Sequence, residues 1–278
     1  MAKQTYALND TIHEMLSSFA SKPQGSLLII GKEGSGLSTS LRYIIHSIYG
    51  EKPRVGELFL FNDYTIDGVR TLIRELGQKR SNPKKPRMIV IDDFEKLQHE
   101  AQNALLKSIE EPPEGTHFVL TTSNEDKVLG TIASRCQVVK MKRPAKEELR
   151  KIFTSSSDAE FERAYLIADG WPGLLRQILE GGESEFLSGI EQAKQYLSGS
   201  ISDRLIWAIK NKQPEDFDSL TDSLARITQS TIRSLSLKNK NADAREWLDR
   251  AIVLQDVRSQ REQGVSPKLL ALYLGINV

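Results

Sequence analysis

The 278-residue chain contains a single cysteine, Cys136. One thiol excludes an internal disulfide framework and a multi-cysteine zinc site. Neither sign of charge is in excess: 38 Lys and Arg against 37 Asp and Glu leave a formal net charge of +1. There is no global basic field for autonomous, tight nucleic-acid binding, so any such contact falls to a local patch. Long apolar runs are missing too. Runs such as Leu27–Ile30 fall far short of the roughly 20 residues a spanning helix needs. The opening MAKQTYALND has no apolar signal core. The expectation is a soluble, cytoplasmic protein with no membrane partner. What the chain does have is a 39% hydrophobic fraction spread along its length, enough for ordinary cores, and room for about two domains at roughly 150 residues each.

The first 143 residues alternate short apolar runs with helical patterns. Leu27–Ile30, Glu57–Phe61, Met88–Ile91, His117–Thr121 and Gln137–Met141 read as buried parallel strands. Between them, Asn9–Phe19, Ser38–Tyr49, Ile66–Leu76 and Glu100–Glu110 read as helices, the last three stopped by Gly50, Gly77 and Pro112–Pro113. This predicts an α/β core with a parallel five-stranded sheet built from right-handed βαβ units. After Met141 the strand signals stop. Pro144–Phe153, Asp158–Asp169 and Pro172–Glu180 predict three short helices, and Asp216–Ser234 and Ala242–Gln263 predict long amphipathic ones. The expected division is a core over residues 1–143, a three-helix lid over 144–182 and a C-terminal all-helical collar over 183–278.

The run Gly31-Lys-Glu-Gly34-Ser-Gly36-Leu37-Ser38 follows a strand and opens a helix, the setting of a phosphate-binding loop. On the pattern G-x-x-x-x-G-K-[ST], Gly31, Gly36 and Ser38 match, and Leu37 replaces the lysine that brings charge to the β- and γ-phosphates. Two readings follow: a loop that has kept its fold and lost its ligand, or weak, diphosphate-like binding by backbone amides and Ser38. The strand Arg87–Ile91 leads into Asp92-Asp93-Phe94-Glu95. Asp92 fits the acid that holds Mg²⁺ in P-loop ATPases. Asp93 stands where Glu usually polarises water, and it is short by about one C–C bond, roughly 1.5 Å. Glu95 should point elsewhere. Hydrolysis in this chain's own pocket is therefore not expected.

The segment from Ile91 to Met141 resembles the central region of the bacterial DNA polymerase III clamp loader, a family of the AAA+ class. NALLKSIEEPP and TIASRCQ match two of that family's blocks in order. The resemblance implies an AAA+ core, a three-helix lid and a helical collar, with Pro267-Lys-Leu-Leu270 similar to the final collar helix. The altered loop resembles the delta-prime-type subunit rather than the ATP-hydrolysing motor. It implies a non-hydrolysing stator with no nucleotide of its own, Gly31, Gly34, Gly36, Ser38, Asp92 and Asp93 being a vestigial cofactor site. Its partners would be motor and delta-type subunits of a hetero-pentamer, with the sliding clamp a further candidate. Ser134-Arg135-Cys136 matches the motif whose arginine crosses to the neighbour's ATP and Mg²⁺, and a planar, permanently charged fork suits that task. Gly173 stands where a motor would carry a nucleotide-sensing arginine. Thr122 or Asn124 falls at the γ-phosphate sensor, or caps the next helix. The family's four-cysteine zinc module is lacking, the Tyr49–Glu57 segment being too short for one, so no metal is expected. Cys136 reads as a small buried filler.

Two basic clusters, Lys79, Arg80, Lys84, Lys85 and Arg87, then Lys140, Lys142, Arg143 and Lys146, are solvated loops or weak contacts to primed DNA. Trp171, Trp207 and Trp247 are expected in helices, at core or interface. The alternative to a clamp-loader stator is an autonomous AAA+ ATPase, motor-like or a helicase loader, with a divergent working pocket.

Overall fold

A computed structural model describes residues 9–50, 53–77, 82, 84–181, 184–211 and 213–278. Contacts group the chain into two units. The first runs to Ile152 and includes Trp171–Gly173; the second comprises Phe153–Gly170 and Leu174–Val278. Among the sequence readings, Glu51 and Lys52, Lys79 and Arg80, and the lid–collar boundary at Gly182 and Glu183 lie outside the described residues.

The first unit is a five-stranded parallel sheet faced by helices. In chain order its elements are α1 (Asp10–Ser21), β1 (Ser26–Ile30), α2 (Leu37–Tyr49), β2 (Leu58–Phe61), α3 (Ile66–Leu76), β3 (Arg87–Ile91), α4 (His99–Glu110), β4 (Thr116–Thr122), α5 (Gly130–Ala133), β5 (Cys136–Lys140) and α6 (Lys146–Ile152), with 3₁₀ turns at Phe94–Lys96 and Glu125–Lys127. The strand order is β2-β3-β4-β1-β5. Every residue of β1 and β3 is buried, which is why these strands read as unbroken apolar runs rather than alternating ones.

The helices begin where side chains can satisfy their first amides. Asn9 caps α1 by accepting from Thr11 N, and Thr65 caps α3 by accepting from Gly68 N. Burying the two faces of the sheet yields two cores. Ile12, Leu16, Leu41 and Ile44 of α1 and α2 cover one face. Val69, Leu72, Leu105 and Ile109 of α3 and α4 cover the other with Phe94 and Phe118. The expected helix from Pro144 starts later, at Lys146, because Ala145 is the residue whose carbonyl accepts from Glu148 and Leu149 and whose amide donates to Glu148 Oε2 at 2.8 Å.

The second unit is all helical: α7 (Asp158–Ile167), α8 (Pro172–Glu180), α9 (Glu185–Ser198), α10 (Ile201–Lys210), α11 (Pro214–Leu237), α12 (Asn241–Glu262) and α13 (Pro267–Asn277). The first two residues of α8 group with the sheet unit. Phe217, Leu220 and Leu224 of α11 pack with Leu254 and Val257 of α12 and with Leu270 and Leu274 of α13. Arg261 reaches back from α12 to Asp218 of α11 at 3.0 Å. The apolar residues of α12 divide: Leu254 and Val257 are buried, whereas Leu248 is 48% exposed and Ile252 66%. Trp171 is buried but precedes α8 rather than sitting in a helix. No helix among the described residues is long and apolar enough to cross a membrane.

Most described residues of the two basic clusters are exposed, as solvated loops would be; Arg87 is the exception. Arg87 is buried, donating from Nε to Thr116 Oγ1 at 3.0 Å and from Nη2 to the Leu76 carbonyl at 2.7 Å. It thereby satisfies the C-terminal end of α3. Lys85 donates to the Ile48 carbonyl, Lys140 pairs with Glu125 at 2.7 Å, and Arg143 lies over the Trp171 ring at 5.1 Å. Replacing Arg87 with methionine keeps the apolar stem and leaves two buried acceptors without donors, so a loss of about 2–4 kcal/mol in urea unfolding is expected. An unchanged midpoint would show that the guanidinium is not structural.

Candidate functional site

In a parallel sheet, ligand crevices lie beyond the carboxyl ends of the strands. Here β3, β4 and β1 are neighbours. Their C-terminal ends bring together Asp92–Asp93, Thr122–Asn124 and the Gly31–Ser38 loop, as the motif reading requires.

The loop has the backbone of an anion cradle. Gly34 and Gly36 take φ of 74° and 105°, conformations that a Cβ would strain. Gly31 N donates to the Thr122 carbonyl at 3.0 Å, tying the loop to the end of β4. Ser40 Oγ secures the start of α2 by donating to the Gly36 carbonyl at 3.0 Å. Ser35 is buried with an unpartnered hydroxyl, and Ser38 is exposed. The Leu37 side chain packs against the α1–α2 core. The motif's cation position thus delivers an apolar group to the interior and no charge to the loop.

A second contact explains the glycine of the Gly170-Trp-Pro-Gly173 run. Gly173 N donates to the Gly34 carbonyl at 2.8 Å. A Cβ at position 173 would stand 2.9 Å from that oxygen and 3.0 Å from Gly34 Cα. The position has therefore not merely lost an arginine; the backbones approach too closely for any side chain.

The acids are engaged within the chain. Thr121 Oγ1 donates to Asp92 Oδ1. Asp93 takes a left-handed conformation at φ 49° and pairs with Lys96 at 2.7 Å. Glu95 has a partner the sequence did not reveal. Its Oε1 accepts from Ser123 N at 3.0 Å and from Ser123 Oγ. Burial pushes this carboxyl up, yet hydrogen bonds from Ser123, its own amide and Thr122 outweigh that and hold it below the usual carboxylate range. Of the two sensor candidates, Asn124 caps the Glu125–Lys127 turn by accepting from Asp126 N at 3.1 Å. Thr122 Oγ1 donates to the Asn124 carbonyl at 3.0 Å.

Ser134 and Arg135 follow α5. Ser134 Oγ donates to the Thr131 carbonyl at 3.1 Å. Arg135 donates from Nε to Glu110 Oε2 at 2.8 Å and from Nη1 to the Thr131 carbonyl at 3.1 Å, and its side chain is 35% exposed. Glu110 closes α4 in the NALLKSIEEPP block, so the two blocks that are separate in sequence meet in one ion pair. A half-exposed pair of this kind is worth only about 0–1 kcal/mol, so exchanging Glu110 for another anion costs little. Cys136, half-buried beside these residues, has its thiol pushed up to about 12 by burial. It is a packing group rather than a nucleophile.

One residue escaped the sequence reading. Gln102, fully buried in α4, donates from Nε2 to the Leu97 carbonyl at 2.9 Å and to the Lys127 carbonyl at 2.8 Å, and accepts at Oε1 from Leu129 N at 2.9 Å. It joins the segment after the acidic pair to the loop that enters α5 and Arg135. A polar residue on the inward face of an amphipathic helix was the available signal.

Comparison with known proteins follows the same lines. Residues 61–145 match the family model described as DNA polymerase III, delta subunit. A replication factor C small subunit from Methanococcus maripaludis is 22% identical over 86% of this chain and 72% of its own length. Its counterpart from Thermoplasma volcanium is 27% identical over 74% of this chain and 64% of its own. Replication factor C subunit 2 of Arabidopsis thaliana is 30% identical over 45% of this chain and 38% of its own. In fold, the chain is similar to a DNA polymerase III gamma subunit-related protein from Thermotoga maritima, with a TM-score of 0.58 at 19% identity over 95% of this chain and 97% of that one.

Two outcomes test this geometry. Gly173→Ala should cost about 1–3 kcal/mol in urea unfolding, because the Gly34 backbone must move; a neutral substitution would mean the approach is not tight. Because the folded-state Glu95 carboxyl is depressed, its contribution is present above the unfolded value of about 4.3 and disappears as pH falls through the folded value. Melting curves between pH 7 and pH 3 should therefore converge for wild type and Glu95→Gln at the acid end; parallel curves would contradict it.

In sequence the chain is thus similar, over part of its length, to a DNA polymerase III delta-subunit family model and to replication factor C subunits, and in fold to a DNA polymerase III gamma subunit-related protein.

Proposed function

We propose that the chain is a delta-prime-type subunit of a clamp loader, a stator that does not hydrolyse ATP and lends Arg135 to the ATP of a neighbouring subunit while a sliding clamp is placed on primed DNA. The observation that carries this reading is Leu37, half-buried and packed against the α1–α2 core where the triphosphate's lysine belongs. The other residues of the cradle agree. Asp92 and Asp93 are engaged with Thr121 and Lys96, and the Gly34 carbonyl is held by Gly173. This set does not fit a magnesium-bound triphosphate, and no step is assigned to one here.

Arg135 has the opposite character. It is exposed, permanently charged and pre-aimed by Glu110. A guanidinium fork brought to a neighbour's γ-phosphate stabilises the charge that spreads over the transferring group. Ser134 holds the end of α5 from which it projects.

The partners on this reading are motor and delta-type subunits of a hetero-pentamer. The division into a core over 1–143, a lid over 144–182 and a collar over 183–278 serves that assembly. The helical unit exposes Ile201, Ile206 and Ile209 on α10 and Leu269, Tyr273 and Ile276 on α13, apolar area suited to association. Contacts with primed DNA would fall to Lys84 and Lys142, exposed cations of the two basic clusters.

In a loader reconstituted with its motor subunits, Arg135→Ala should lower DNA-stimulated ATPase roughly tenfold or more, with assembly intact by gel filtration. Unchanged turnover would sink the trans role. Separately, the isolated chain should show no saturable binding of a fluorescent Mg²⁺–ATP analogue. Micromolar binding with turnover would instead favour an autonomous ATPase.

A further inference from the structure

The free edge of the sheet is built to be extended. Among the described residues β2 pairs only with β3. Met88 N donates to the Glu57 carbonyl at 2.8 Å, and the parallel register sets Phe59 opposite Ile89. In a parallel ladder, alternate residues of a strand turn their amides and carbonyls to the same side. Glu57, Phe59 and Phe61 therefore face β3, and the N–H and C=O groups of Leu58 and Leu60 face outward. Natural sheets usually blunt such an edge with a lysine, a proline or a bulge. Leu58–Phe61 has no lysine or proline, and Leu60 is 67% exposed.

Beside this edge, β2 and α3 enclose a groove of about 370 Å³. Its floor is apolar, from Phe59, Phe61 and Leu72. Its wall is acidic. Asp67 and Glu75 stand two turns apart on one face of α3, and Asp63 closes one end, oriented by accepting from Thr65 N at 3.1 Å. Among the described residues no cationic side chain lines the groove. Arg70, on the neighbouring face of α3, takes one oxygen of Asp67 at 3.1 Å in a fully solvated pair, too weak to neutralise the wall.

We propose that this edge is a docking site for an extended basic–apolar segment of a partner protein, which adds to β2 as a sixth strand. Backbone bonds to Leu58 and Leu60 supply affinity. Because strand side chains alternate, one set of the segment's residues enters the groove, where apolar side chains meet Phe59 and Phe61 and lysine or arginine reaches Asp67 and Glu75. This is strand addition with side-chain selection by charge. It does not depend on the Arg135 reading, and its test does not involve ATP.

The probe is a fluorescein-labelled peptide of alternating valine and lysine, titrated with the full chain by anisotropy, against a control of alternating valine and glutamate. The valine–lysine peptide should bind at least about tenfold more tightly, and the preference should shrink with rising salt. Amide exchange at Leu58 and Leu60 should slow in the complex. The double variant Asp67→Lys, Glu75→Lys changes only exposed residues and should abolish the preference while leaving the melting temperature within a few degrees. Equal binding of both peptides, protection elsewhere, or a preference that survives the charge reversal would overturn the proposal. So would concentration-dependent self-association that is lost in Leu60→Lys, which would make a second copy the occupant instead.

Discussion

Buried or half-buried polar groups must find partners, and at the carboxyl ends of β1, β3 and β4 this chain supplies them from its own residues. The Gly34 carbonyl takes the Gly173 amide, Asp92 takes the Thr121 hydroxyl, Asp93 takes Lys96, and Glu95 takes Ser123. A crevice meant to exchange a charged ligand would leave such groups poised for it. Here the same backbone geometry, positive-φ glycines included, is retained around internal bonds that engage these groups, while the Ser35 hydroxyl is buried without a partner. Much of the local structure follows: the left-handed turn at Asp93, the absence of a side chain at 173, and the depressed Glu95 carboxyl.

A second constraint acts one layer out. The two sequence blocks around α4 and α5 are separated in the chain but joined by Gln102 inside and by Glu110–Arg135 at the surface. The buried amide fixes three backbone groups, and desolvation makes those bonds costly to break. The surface ion pair is solvated and easily exchanged. Rigid inside and exchangeable outside is the combination needed to present a cation to something beyond the chain. It is the physical content of the trans role proposed for Arg135.

Much of the sheet was legible because apolar runs in parallel strands are continuous, and the boundaries of Ile66–Leu76 and Pro172–Glu180 follow from threonine, glycine and proline at their ends. Other helices were less so. Helices α9 and α10 were not separated in the sequence reading although both are amphipathic, and the start of α6 turned on a Glu148 carboxylate rather than on Pro144. Arg87 was misplaced in a basic cluster for a related reason. A list of lysines and arginines carries no direction, and burial of Arg87 depends on a carbonyl at the end of α3 and a hydroxyl on β4.

By itself the sequence determined the strand–helix alternation, the residue types in the loop, the absence of a cation at Leu37, and the arginine placed before β5, since each is a matter of local pattern. Only the tertiary structure decided where those groups point and whom they meet. That Gly173 is excluded from bearing a side chain, that Glu95 answers to Ser123, and that among the described residues the outer edge of β2 is unpaired beside an acidic wall are all consequences of contacts between segments far apart in the chain. Such contacts arise from close packing and polar satisfaction in three dimensions, which no local pattern encodes.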